Sequence, residues 1–240
     1  MFSFIDLCCG TGALRKSFER TGYFRCILSA DIDENMQNLS LVNIGPPKPL
    51  GDITSETVDK IIEEFDYDVL TAGINGLNES ILFKLLEIIE RDRPKAFVFE
   101  MDAYGFSKSF CKTIDVFCRK NGYAFVDYDG DIETIKKDLF NFGIPEHYES
   151  VWAVCLKKDQ MRVEYEPLFH TLSNEHDFKC YANYDPDNNI EQKKGLDFGF
   201  GRKFKFLQGT PENKKKEIVD QATPMPVAMS VALDLGSWLI

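Results

Sequence analysis

Phe4-Ile5-Asp6-Leu7-Cys8-Cys9-Gly10-Thr11-Gly12 decides the fold. An apolar run long enough for one strand gives way to two glycines, and a helical pattern follows from about Ala13 to Arg20. Strand, glycine turn and helix together open a βα unit. Glycines let the backbone approach a ligand closely, and the helix N-terminus favours a carboxylate or other anionic group. Taken alone, the glycine pair equally suits a tight strand–helix turn with no ligand.

The pattern repeats outward from this stretch. Cys26-Ile27-Leu28-Ser29-Ala30 reads as a second strand, and Val58, Ile61, Ile62 and Phe65 mark one face of a helix. Asp68-Val69-Leu70-Thr71-Ala72-Gly73 reads as a core strand running into a loop. Leu82, Leu85, Leu86 and Ile89 mark the next helix, and Pro94 follows its end. Ala96 to Glu100 is a buried strand, Phe110, Ile114, Phe117 and Cys118 another helix, and Val151 to Leu156 a further strand. The alternation predicts an α/β, Rossmann-like, mainly parallel doubly wound sheet. Ligands bind such sheets beyond the carboxyl ends of the strands. Residues 1–156 form the expected cofactor-binding domain. Residues 157–200 are polar and aromatic, with a loop at Asn183 to Asn189, and read as a small irregular region. Residues 201–240 complete the first domain with a helix that aligns Val227, Val231, Leu235 and Leu239.

Acids stand near the ends of successive strands. Asp31 follows the second strand about 20 residues after the glycines, where a carboxylate commonly accepts hydrogen bonds from ribose hydroxyls. Asp52, in Gly51-Asp52-Ile53, is placed to accept from an adenine amino group. With Asp6 this makes three acids, a pattern that fits adenosine. Aspartates are also favoured helix N-caps, so capping is the competing reading.

Composition narrows the classes. The chain has 240 residues, 28 Lys plus Arg and 39 Asp plus Glu, for a net charge of −11. Strong autonomous duplex DNA binding draws on cationic contacts to phosphate and is not expected here. Lys203, Lys205 and Lys214 to Lys216 read as a solvated surface. The seven cysteines contain no CxxC pair, and His147, His170 and His176 lack metal-ligand spacing, so neither a disulfide framework nor a metal site is expected. No apolar run approaches a membrane span and no signal peptide is read, which leads to an expected cytoplasmic location, or a nuclear one in a eukaryote.

Taken in order, the motifs resemble the DNA (cytosine-5) methyltransferase family. The family opens with Phe-Ile-Asp-Leu-Phe-x-Gly-x-Gly, matched by Phe4 to Gly12. Its second motif ends in an acid, here Asp31, and Gly51-Asp52-Ile53 matches its third. Phe99-Glu100-Met101 resembles Glu-Asn-Val, and Phe142-Gly143-Ile144-Pro145 the Tyr-Gly-Ile/Val-Pro segment. Phe206-Leu207-Gln208-Gly209-Thr210-Pro211 is similar to Leu-Gln-Gly-Phe-Pro. Gln221-Ala222-Thr223-Pro224-Met225-Pro226-Val227 resembles Asn-Ser-Val-Pro-Pro-Pro-Val. The set is colinear and spans nearly the whole chain. It implies S-adenosylmethionine or S-adenosylhomocysteine, held by Asp6, Cys8, Gly10, Thr11, Gly12, Asp31, Ile32, Asp52, Ile53, Gly73, Gln221 and Ala222.

The catalytic pattern departs from the family. Where the family has Pro-Cys-Gln, with a cysteine that attacks cytosine C6, this chain has Asn75-Gly76-Leu77, and glycine supplies no nucleophile. Glu100 keeps the position of the glutamate that assists at cytosine N3. The mobile loop after the cysteine is absent, since Asn78-Glu79-Ser80 leads directly into a helix. The arginine motif after Pro145 is replaced by Glu146-His147-Tyr148-Glu149-Ser150. Three readings follow. The first is a cofactor-binding homologue without cytosine methylation, acting as a regulator, sensor or partner. The second is a methyltransferase for a different acceptor, and the third a binding module without cofactor. Duplex DNA binding is expected to be weak or absent. Ile74, Leu77 and Tyr104 are expected either to form an exposed apolar patch, suited to a protein partner or self-association, or to pack inward.

Overall fold

The computed structural model describes residues 1–74, 79–102, 108–138, 149–161, 204–220 and 222–240. The described strands are β1 (Phe2–Leu7), β2 (Phe24–Ala30), β3 (Val69–Ile74), β4 (Ala96–Asp102), β5 (Tyr123–Phe125), β6 (Lys136–Asp138) and β7 (Glu149–Lys157). The described α-helices are α1 (Ala13–Arg20), α2 (Glu34–Asn43), α3 (Glu56–Glu63), α4 (Glu79–Asp92), α5 (Lys108–Asn121), α6 (Glu212–Asp220) and α7 (Met225–Leu239). One mixed sheet has the order β2-β1-β3-β4-β7-β5, with β6 also on β7. The β1–β2, β1–β3 and β3–β4 pairs are parallel. β7 is antiparallel to β4, β5 and β6, so among the described strands it alone runs against the rest.

Alternation along the strands splits the apolar residues between two faces. Ile5, Leu7, Leu70, Phe97 and Phe99 enter one core with Ile62 of α3, Leu82 and Leu85 of α4 and Ile114 of α5. Phe4, Phe24, Val69, Val98, Trp152 and Val154 enter a second core with Leu14 and Phe18 of α1 and Val227, Val231 and Leu235 of α7. The last three are fully buried, and each contributes on the order of 1.5–3 kcal/mol. Residues distant in sequence thus close the sheet's second face. A third, smaller cluster joins Ala13, Met36, Leu39, Phe204, Ile218, Val219 and Met225.

One expectation changes, and one open alternative is resolved for Ile74. Phe65 is not on a helix face: α3 ends at Glu63, its C-cap is Glu64, and Phe65 lies beyond the cap, 39% exposed. Ile74 is not part of an exposed patch. It completes β3, is 2% exposed and packs inward, while Leu77 and Tyr104 lie outside the described residues. The region expected at 157–200 also lies outside them apart from its first five residues. Among the described residues no helix is long and apolar enough to cross a membrane.

Candidate functional site

The parallel strands β1, β2 and β3 end around one cavity of about 300 Å³, at the small end of ligand sites. Its wall includes Cys8, Gly10 and Thr11 from the first turn, Asp31, Ile32 and Asp33 after β2, Asp52 and Ile53 before α3, and Gly73 at the end of β3. Eight of the twelve residues expected to hold a cofactor are therefore in this wall. Asp6 and Gly12 lie behind it, Ala222 packs on the third cluster, and Gln221 lies outside the described residues.

The turn is built by backbone geometry. Cys8, Gly10 and Gly12 have φ of 57°, 51° and 81°, all left-handed. Gly12 caps α1, and a Cβ there would stand 2.7 Å from Ile44 Cγ1 and 2.8 Å from Ser40 Oγ. This glycine is needed for close packing of α1 on α2 as well as for its φ. Asp31 ties the turn to β2: its Oδ2 accepts from the Gly10 amide at 2.7 Å, and its Oδ1 accepts from the Asp33 amide at 2.9 Å.

Capping does not explain the acids. The N-cap of α2 is Asp33, whose side chain accepts from the Asn35 amide at 2.8 Å, and the N-cap of α3 is Ser55. Asp31 and Asp52 precede those caps and face the cavity. Asp52 Oδ1 accepts from the Thr54 amide and the Thr54 hydroxyl, both at 2.8 Å. Its Oδ2 accepts no hydrogen bond from the described residues.

Asp6 has a different part. It is fully buried in β1, and its Oδ1 accepts from the Thr71 hydroxyl at 2.7 Å. Its Oδ2 has no hydrogen-bonding partner among the described residues. Burial pushes its pKa up to about 7, against the opposing influence of the Thr71 bond and the charge of Arg15. Burial also raises the pKa of Asp31. The Cys8 thiol is pushed up to about 12 by burial and then by Asp31, Asp6 and Asp52, and burial holds Cys9 well above its ordinary range. Burial therefore disfavours the thiolate form of both sulfurs.

Glu100 stands beside Gly73 on the neighbouring strand and is 5% exposed. The Thr223 hydroxyl donates to its Oε2 at 3.0 Å. A Cβ on Gly73 would lie 3.5 Å from the Cys8 carbonyl oxygen, 3.7 Å from Thr223 Oγ1 and 3.8 Å from Glu100 Oε2. A Cβ there would make ordinary contacts only, so Gly73 links the cavity wall to Glu100 without being required for space. Gly76 lies outside the described residues, as do His147, His170 and His176. Among the described residues no group of His, Cys, Asp or Glu side chains is arranged to hold a metal.

Sequence reasoning missed Met36, Ile81 and Ile218 as wall residues and Thr54 and Thr223 as partners of the acids. The Asp33-Glu34 pair before Met36 and Leu39 was a readable helix start. Ile218 was hidden by the lysines before it, which lie on α6. There Lys214 pairs with Glu217 at 2.8 Å and Lys215 with Glu212.

Comparison with known proteins gives the family. The family model described as C-5 cytosine-specific DNA methylase matches residues 2–223. The type II methyltransferase M.HpaII of Haemophilus parainfluenzae is 30% identical over 175 residues, which are 65% of this chain and 46% of that protein. M.NgoBI of Neisseria gonorrhoeae is 25% identical over 218 residues, 81% of this chain and 64% of that one. The chain thus spans roughly half the length of such relatives. The Entamoeba histolytica methyltransferase EhMeth superposes with a TM-score of 0.69 at 15% identity, covering 100% of this chain and 98% of its own. The S. pombe Dnmt2 methyltransferase gives 0.67 at 10% identity, covering 99% and 98%, and supports the same fold. The family match spans nearly every described element, from the glycine turn to Thr223 beside Glu100, and on it the chain belongs to the C-5 cytosine-specific DNA methylase family.

Proposed function

We propose that this chain binds S-adenosylmethionine or S-adenosylhomocysteine in the β1–β2–β3 cavity, does not methylate cytosine C5 by itself, and acts as a regulatory, sensing or partner subunit. The observation that carries the loss of chemistry is Asn75-Gly76-Leu77 where the family has Pro-Cys-Gln. Cytosine C5 becomes nucleophilic only after covalent attack at C6, and a hydrogen atom cannot make that attack. Cys8 and Cys9, the cysteines nearest the cavity, are held protonated.

The residues present fit the cofactor. The described wall carries Asp31, Asp33 and Asp52 and no Lys or Arg, which disfavours phosphate ligands and suits an adenosyl group with a cationic sulfonium. Asp52 Oδ2 has no hydrogen-bonding partner among the described residues, and Gly73 sets the wall next to Glu100. When bound, S-adenosylmethionine supplies an electrophilic methyl group. The chain's own residues orient and enclose it: Asp31 shapes the turn, Asp52 accepts, and Ile53, Ile81 and Ile218 exclude water.

A second reading rests on Glu100. Held by Thr223 and paired with Gly73 across the sheet, it sets a buried carboxylate beside the cavity wall, a group able to orient a different methyl acceptor, such as an amine, that needs no cysteine. Calorimetric titration with S-adenosylmethionine, beside transfer of labelled methyl to duplex DNA and to amine acceptors, tests both. Heat without transfer supports the first reading, transfer to an amine supports the second, and C5-methylcytosine overturns the first. No heat and no thermal shift at millimolar cofactor overturns both.

A further inference from the structure

We propose that Thr54 is a positioning residue that fixes the Asp52 carboxylate as a selective acceptor for the exocyclic amine of a purine. The cavity then distinguishes an adenosyl ligand from one with an oxo group in that place. The inference rests on the adenosyl reading of the cavity.

The segment around Asp52 is braced by its neighbours in the chain. Leu50 bridges Ala30, with its amide on Ser29 O at 2.8 Å and its carbonyl accepting from the Asp31 amide at 3.0 Å. Ile53 is 3% exposed and anchors the following residue in the core. The Asp52 carbonyl accepts from the Ser55 amide at 3.0 Å. Both Thr54 donors converge on Oδ1, which fixes the side-chain torsions and leaves Oδ2 as the oxygen without a partner among the described residues. Asp31 differs, since each of its oxygens already accepts a backbone amide. Of Asp31 and Asp52, it is Asp52 that keeps a carboxylate oxygen without a partner among the described residues.

An ionised carboxylate only accepts hydrogen bonds. An amine at the purine 6-position donates to it, while an oxo group meets it acceptor to acceptor. Sites built to pair a polar group reject analogues that leave that group unpaired. Thr54 itself is exposed, so its hydroxyl can be removed without opening the core.

The full chain is titrated with S-adenosylhomocysteine and its 6-oxo analogue, S-inosylhomocysteine. The wild type is expected to favour the adenosyl ligand by at least about ten-fold. Thr54→Val is expected to weaken adenosyl binding about three- to ten-fold and leave inosyl binding unchanged, and Thr54→Ser to restore the wild-type ratio. Asp52→Asn adds a sign test. If Thr54 holds the Asn oxygen, the amide nitrogen faces the cavity and the preference turns toward the oxo analogue; adding Thr54→Val abolishes that reversal. Wild-type selectivity in Thr54→Val, or no reversal in Asp52→Asn, overturns the inference while leaving adenosyl binding intact. Binding of neither ligand by the wild type overturns the adenosyl reading and this inference with it.

Discussion

Asp31 reaches back across the first turn, and its Oδ2 accepts from the Gly10 amide at 2.7 Å. One carboxylate thus shapes the cavity and lines it. Asp31→Ala is expected to lower the melting temperature and to weaken cofactor binding by roughly 1.5–3 kcal/mol, the scale of a hydrogen bond to a charged group. Calorimetry beside a melting curve checks this; unchanged affinity with a lower melting temperature would leave Asp31 a purely structural role.

Gly12→Ala and Gly10→Ala form a matched pair. Both glycines have positive φ, but a Cβ at Gly10 meets nothing within 4 Å, whereas one at Gly12 collides with Ile44 and Ser40. Backbone strain alone costs about 1–2 kcal/mol, and overpacking adds about 1–3. Denaturant unfolding should show Gly12→Ala as clearly the more destabilised; equal losses would contradict the packing argument.

Asp6 gives stability a particular pH dependence. Its folded pKa of about 7 lies above the ordinary 3.8, so folding takes up a proton between those values. The contribution is complete below pH 3.8, declines as pH rises, and is gone above 7. Asp6→Asn should therefore gain on the wild type as pH rises, by up to about 4 kcal/mol at pH 8. A stability difference flat from pH 4 to 8 would show that Asp6 is ionised throughout.

Gly76→Cys should not restore cytosine methylation. A thiol returns, but the closing loop and the arginine motif do not, since Glu146 to Ser150 stands in the latter's place. Labelled methyl appearing at cytosine C5 with this single substitution would show that the cysteine was all that was missing.

Duplex DNA binding should be weak and sensitive to salt, consistent with a net charge of −11. Fewer phosphate contacts flatten the salt dependence by about one unit of slope each. A protein partner or self-association is the interaction we propose in its place. Filter binding at moderate salt with light scattering of the free protein decides: submicromolar DNA affinity by a monodisperse monomer would be the contrary result.

Periodicity made the sheet legible because each face is closed by a strict alternation, as with Phe4 and Ile5 entering opposite cores. The glycine turn and the acids were legible because backbone approach and hydrogen-bond acceptance each demand a narrow choice of residue. What escaped notice depends on contacts far apart in sequence. Ile218 joins Met36 across about 180 residues, and Thr223 meets Glu100 across 123. Neither pairing leaves a local signal. Phe65 failed for the opposite reason: its spacing continued a helix that the chain ends at Glu63.

The packing of α7 over the sheet sets an order of events during synthesis. When the ribosome has made β1 to β7, Val98, Trp152 and Val154 still lack Val227, Val231 and Leu235, and the cavity lacks Ile218. An apolar strip therefore faces solvent or a chaperone until those late residues emerge. Translation pauses ahead of α6 would prolong that exposure and favour aggregation.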